Sequence, residues 1–173
     1  MATIADTTGI ELAKDCAQPH TPVSRTFNRL LARLETFVSH EQRLDAPGID
    51  VMSATFKTAL ANAEHAREAL CEVVGEVMIA PDYQREDRSL RRLAHVLYVM
   101  ITMEDDGDRQ HFHQSTLRHR DIFEIDGQSS AARLTRRLSA SFFSHFDDLA
   151  SLRKVGGDGP VAFPKQDFAP VPA

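Results

Sequence analysis

The stretch DVMSATFKTALANAEHAREALCEVVGEVMIAP, residues 50–81, carries the most regular pattern in the chain. Met52, Phe56, Ala59, Ala63, Ala66, Leu70, Val73 and Val77 follow one another in alternating steps of four and three. Such steps hold apolar side chains on one stripe of an α-helix, and a sustained heptad spacing packs a neighbour knobs-into-holes. Three consecutive alanines in the seam let that neighbour approach closely. With Asp50 as cap and Pro81 as stop, about 30 residues at 1.5 Å rise predict a helix roughly 45 Å long. Glu64, Glu68, Glu72 and Glu76 recur at every fourth position on the other side, a solvated acidic face.

A helix with such a seam needs partners, and both flanks supply them. Upstream, Thr21 is placed to cap and Pro22 to open a helix carrying Val23, Phe27, Leu30, Leu34 and Phe37. The DAPG at 45–48 ends it. Downstream, a third helix is predicted over 82–104, with Leu90, Leu93, Ala94, Leu97, Val99, Met100, Ile101 and Met103 apolar. Its second half is apolar nearly all round, which places it at a bundle centre or at a subunit interface.

Residues 108–124 show only a broken stripe of Phe112, Thr116, Ile122 and Phe123. They are assigned to a helix, with DIFEI as a brief extended alternative. Ser129 or Ser130 then caps a last helix carrying Leu134, Leu138, Phe142, Phe146, Leu149 and Leu152, which Gly156 and Gly157 terminate. The sum is an all-α protein, an antiparallel helical bundle of four to five helices over residues 21–156. A flexible N-terminal arm (1–20) precedes it. A Pro-rich extended tail (157–173) follows, with Phe163 and Phe168 available to dock on the bundle or on a partner.

Composition bounds the function. At 42% hydrophobic and 26% charged the 173 residues are those of an ordinary globular domain. The chain contains no run of eighteen apolar residues, so no membrane span is expected. The first residues lack the basic start and apolar block of a secretory signal, and a cytoplasmic location is the expectation. The net charge of −5 is uneven: residues 1–81 hold seven bases and eleven acids, residues 82–154 twelve of each. No segment is basic enough for a nucleic-acid footprint, and RLTRRL at 133–138 reads as a solvated helix surface. Cys16, in the arm, and Cys71, beside a core stripe, lack any CxxC spacing and are expected to be structural. Four of the twenty basic residues are lysine and the rest arginine, a bias expected from coding composition.

Three places invite chemistry. MEDDGDRQHFH, residues 103–113, gathers four carboxylates and two histidines. With Gly107 at the glycine position of a calcium loop, position one is Thr102 and position twelve His113, where Asp and Glu are required. The calcium reading fails. A helix continuous through Gly107 would line up Glu104, Asp108 and His111 as metal ligands, but His111 and His113 diverge on any helix. The chain has neither HExxH nor the paired Glu-x-x-His of di-metal bundles. The plainer reading is a helix end at Asp105 or Asp106, a turn at Gly107, and Asp108 capping the next helix.

SHEQR, residues 39–43, resembles the phospho-accepting box of sensor histidine kinases, and the resemblance implies His40 as phosphoacceptor. It departs from the family after five residues. Pro47 lies seven positions after His40 rather than four, and no ATP-binding boxes follow. His145, between Phe142 and Leu149, reads as a core histidine; His65 belongs to the acidic face; His95 flanks an apolar stripe beside Arg91 and Arg92. No GxSxG elbow, P-loop or dinucleotide fingerprint exists. The expected function is a non-enzymatic interaction or regulatory module, free of cofactors, that binds another protein or forms a homodimer. A small helical enzyme or metal-binding bundle with a His/carboxylate site is the first alternative, and a stand-alone histidine phosphotransfer bundle the second.

Overall fold

The structure, a computed structural model, describes residues 20–45 and 50–152. The N-terminal arm with Cys16, and the tail with Phe163 and Phe168, lie outside them. Five α-helices follow in order: α1 Pro22–Leu44, α2 Ala54–Ile79, α3 Asp87–Thr102, α4 Asp106–Arg118 and α5 Ser130–Ser151. A 3-10 turn, Arg120–Phe123, joins α4 to α5. No strand occurs among the described residues.

Contacts between helix ends give the topology. Arg29, near the start of α1, pairs with Glu76 near the end of α2. Arg67 on α2 donates to the Ile101 carbonyl at the end of α3. Thr21 and Asp87 meet at the starts of α1 and α3, and Ser129 donates to Glu86 at the starts of α5 and α3. His113 on α4 faces Asp147 on α5, while Arg109 at the start of α4 reaches Leu152 at the end of α5. So α1, α3 and α5 run one way, and α2 and α4 the other. It is an up-and-down bundle.

The seam lies where the heptads put it. Ala63 is 1% and Ala66 7% exposed, Leu70, Val73 and Val77 are buried, and α1 is the helix most extensively packed on α2. From α1, Phe27, Leu30 and Leu34 fill the centre, with Leu93 and Leu97 of α3 and Phe142 and Phe146 of α5. The phenylalanines form a connected series: Phe27 lies 6.0 Å from Phe142, which stacks on Phe146 at 5.5 Å. The strongly apolar part of α3 takes the bundle-centre alternative. Leu97, Met100 and Ile101 are buried within the chain, leaving Tyr98 exposed and Val99 half-buried. Those three side chains no longer argue for a second subunit.

Five helix boundaries differ from expectation. Asp50 does not cap α2. It forms a turn, its carboxylate accepting from the Met52 amide at 2.9 Å, and Ser53 caps by accepting from the Phe56 amide. Met52, the first seam position, is consequently 79% exposed. Helix α3 starts at Asp87 rather than Asp82, because the Asp87 carboxylate folds back onto the amides of Tyr83 and Gln84. It stops at Thr102, and the cap of α4 is Asp105, which accepts from the Asp108 amide at 2.8 Å. Gly107 thus lies inside the first turn of α4, where a methyl group would come within 3.0 Å of the capping Asp105 oxygen. The acids expected at a helix end sit instead at a helix start, where the macrodipole favours them. Helix α5 ends at Ser151, before Gly156, with Leu152 as its C-cap.

The close α1–α2 approach sets a first prediction. Ala63→Leu, which overpacks the seam, should cost about 1–3 kcal/mol. Each kcal/mol lowers the melting midpoint of a domain this size by roughly 2–4 °C. Glu68→Gln, on the exposed face, should stay within about 0.5 kcal/mol. Thermal unfolding followed by circular dichroism checks the pair; the reverse ranking would exchange inside and outside on α2.

Candidate protein-binding groove

Leaving α2 at Ile79, the chain turns through residues 80–86 and returns as α3. This turn is built on carboxylates. Asp82 holds Arg91 at 2.8 Å and Arg88 at 3.6 Å, and Arg91 also donates to the Ala80 carbonyl at the end of α2. Next to it, Asp87 is 2% exposed. One of its oxygens accepts from the Thr21 hydroxyl at 2.6 Å, the other from the amides of Tyr83 at 2.9 Å and Gln84 at 3.1 Å. A buried charge is tolerated only when hydrogen-bonded in this way. Thr21 in turn caps α1, accepting from the Ser24 amide at 3.0 Å. The starts of α1 and α3 are thereby tied to one another.

On the far side of α3 the 3-10 turn is fixed by a buried bond from the Ser89 hydroxyl to the Phe123 carbonyl, 2.8 Å. Phe123 points inward, its ring edge-on to Phe143 at 6.0 Å, and the Arg120 guanidinium lies 4.4 Å above the Phe143 ring. Ile122, its neighbour, points out and is 57% exposed.

Between the end of α2, one face of α3 and this turn runs an open groove of about 520 Å³. That volume lies within the ~300–1,000 Å³ usual for binding clefts. Met78, Val96, Ile122 and Phe123 give it an apolar lining; Asp82, Arg88, Arg91, Arg92 and His95 give it a polar one. Positions 88, 91, 92, 95 and 96 share one helix face by their i, i+3, i+4, i+7 and i+8 spacing. Arg88 and Arg91 share Asp82, whereas Arg92 and His95 have no acidic partner among the described residues. Ile79 and Tyr83, chain neighbours of Met78 and Asp82, are also exposed.

Glu104 lies in the link between α3 and α4, so the continuous helix that would align it with Asp108 and His111 does not form. Among the described residues no group of three His, Cys, Asp or Glu side chains is gathered as a metal site. His40 is half-buried in a shallow cleft with Arg43, Thr55, Thr58 and Asn62, where the end of α1 meets the start of α2. His145 approaches Asp148 at 4.0 Å, and exposed His65 approaches Glu68 at 4.0 Å. The histidine most firmly engaged is His113, 2.8 Å from Asp147 and with its ring centre 5.2 Å from that of Phe146. Burial pushes the half-buried Cys71 thiol up, with nearby Arg67 opposing it, as suits a small apolar filler rather than a nucleophile. Two of the three arginines of 133–138 clamp a loop: Arg136 donates to the carbonyls of Ile125 and Gly127, and Arg133 to that of Gln128.

In comparison with known proteins, the chain matches no family model, no curated protein and no solved structure. What the fold defines is a class, an all-helical up-and-down bundle with an apolar, arginine-rimmed groove at one end.

The lip and the floor of the groove should respond differently to mutation. Phe123→Ala, which empties a core position, should cost about 3–5 kcal/mol. Ile122→Asp should stay within about 0.5 kcal/mol, as exposed substitutions do. Urea unfolding of both variants checks this, and equal losses would make Ile122 part of the core.

Proposed function

We propose that this chain is a non-enzymatic interaction module with a regulatory role, acting by protein–protein contact through the groove between α2, α3 and the 3-10 turn. The observation that carries the proposal is the exposure of Ile122 beside Met78, Val96 and Phe123, on a face whose rim bears Arg92 and His95. An apolar centre with a polar rim is the anatomy of a protein interface. Arginine at the rim suits a partner segment carrying carboxylates, which it binds in bidentate geometry. The helices that form the groove walls are anchored through Asp87 and Phe123, so the surface is preorganised and its ordering cost on binding is small.

Affinity capture with the immobilised full chain, run in parallel with Ile122→Asp, tests this reading. A protein should be retained by the parent and lost from the variant, with both melting alike. A retained second copy of the chain would make the partner a homodimer mate, and sedimentation would then show the dimer dissociating in the variant. An identical set retained by both forms would contradict the proposal.

A further inference from the structure

We infer that the groove is occupied, in the absence of a partner, by the chain's own N-terminal segment, residues 4–15. The inference rests on the reading of the groove as a binding surface and adds its regulation. Residues 1–19 lead into His20 and Thr21, and the Thr21 hydroxyl is bonded to Asp87, next in sequence to Arg88 on the groove wall. His20 therefore lies at the end of the bundle that carries the groove.

Its length suffices. From His20 back to Leu12, a chain at about 3.3–3.6 Å per residue reaches roughly 30 Å. The α3 side of the groove, from Arg88 to His95, spans about 10 Å at 1.5 Å rise. Being tethered, the segment meets the groove at an effective concentration on the order of millimolar, which a free partner must exceed or outbind.

The chemistry is complementary. Residues 1–19 hold three acids, Asp6, Glu11 and Asp15, against one base, Lys14. The groove holds Arg88, Arg91 and Arg92 against Asp82, with His95 besides. Ile4, Ile10 and Leu12 are the segment's large aliphatic residues, suited to the lining made by Met78, Val96 and Ile122. The segment at the other end of the chain fits less well. Leu152 lies at the opposite end of the bundle beside Arg109, and residues 153–173 hold three bases (Arg153, Lys154, Lys165) against two acids (Asp158, Asp167). Charge complementarity and place of origin thus select the first segment over the last.

The test uses the full chain carrying Cys16→Ser, Cys71→Ala and Thr8→Cys, with a nitroxide on the new thiol and methyl signals read by NMR. Occupancy of the groove gives selective loss of the Met78, Val96 and Ile122 signals. Adding Leu12→Asp or Arg92→Glu should restore those signals while the melting midpoint stays that of the labelled parent. Weak, even broadening over the whole surface, unchanged by Leu12→Asp, would overturn the inference. If it is overturned while Ile122-dependent capture persists, the groove binds another protein and only the self-occupancy falls. If the signals are lost but capture ignores Ile122→Asp, self-occupancy stands and the interaction proposal falls.

Discussion

One carboxylate holds together the end of the bundle on which the groove lies. Asp87 sits at the first position of α3, almost without solvent, and accepts from a hydroxyl on α1 and two amides of the turn before it. Uncompensated, a buried carboxylate would cost several kcal/mol. Here three donors and the positive end of α3 stabilise it. The same bonds fix the angle at which the chain leaves α2, and so where Asp82 places Arg88 and Arg91. Without Asp87 the amides of Tyr83 and Gln84 and the hydroxyl of Thr21 would each lose an acceptor, and leaving the buried hydroxyl unpaired costs about 1–3 kcal/mol.

The arginines extend this logic to the other helix ends. A helix leaves its last carbonyls without intrahelical partners. Arg91 serves the end of α2 at Ala80, Arg67 the end of α3 at Ile101, and Arg109 the end of α5 at Leu152. Each reaches from a different helix, so a single side chain both satisfies a carbonyl and joins two elements. The planar guanidinium, with its five donors, can bond a carbonyl and a carboxylate together, as Arg109 does with Leu152 and Asp106. The excess of arginine over lysine therefore has a structural use here. It also leaves Arg92 as a cation in the groove that no acid neutralises among the described residues.

What the sequence disclosed was whatever a single helix could encode. The α2 seam repeats its signal from Phe56 to Val77, and the Thr21–Pro22 start uses two adjacent residues, so both were legible. The start of α2 was missed because Asp50 and Ser53 are both competent caps, and only the turn geometry chooses between them. The GDRQHFH region was misdivided for a similar reason: Asp105 and Asp108 are equally good caps by type. The role of Asp87 leaves no linear signal because its hydroxyl partner lies 66 residues away, nor does the His113–Asp147 pair, whose members lie 34 apart. The groove has no linear signature either. It combines the end of α2, one face of α3 and a 3-10 turn; along the sequence His95 with Arg91 and Arg92 is only the flank of a stripe, and Ile122 and Phe123 only the end of a broken one.

The most direct test of the role of Asp87 is amide hydrogen exchange at Tyr83 and Gln84 in the parent and in Asp87→Ala. An alanine removes both acceptor oxygens, so neither amide nor the Thr21 hydroxyl keeps its partner. The expected result is that both amides exchange much faster in the variant and that protection falls through the first turn of α3. The seam from Ala63 to Val77 should keep its protection. Unchanged exchange at Tyr83 and Gln84 would contradict the claim that Asp87 holds this end of the bundle, and with it the preorganised groove.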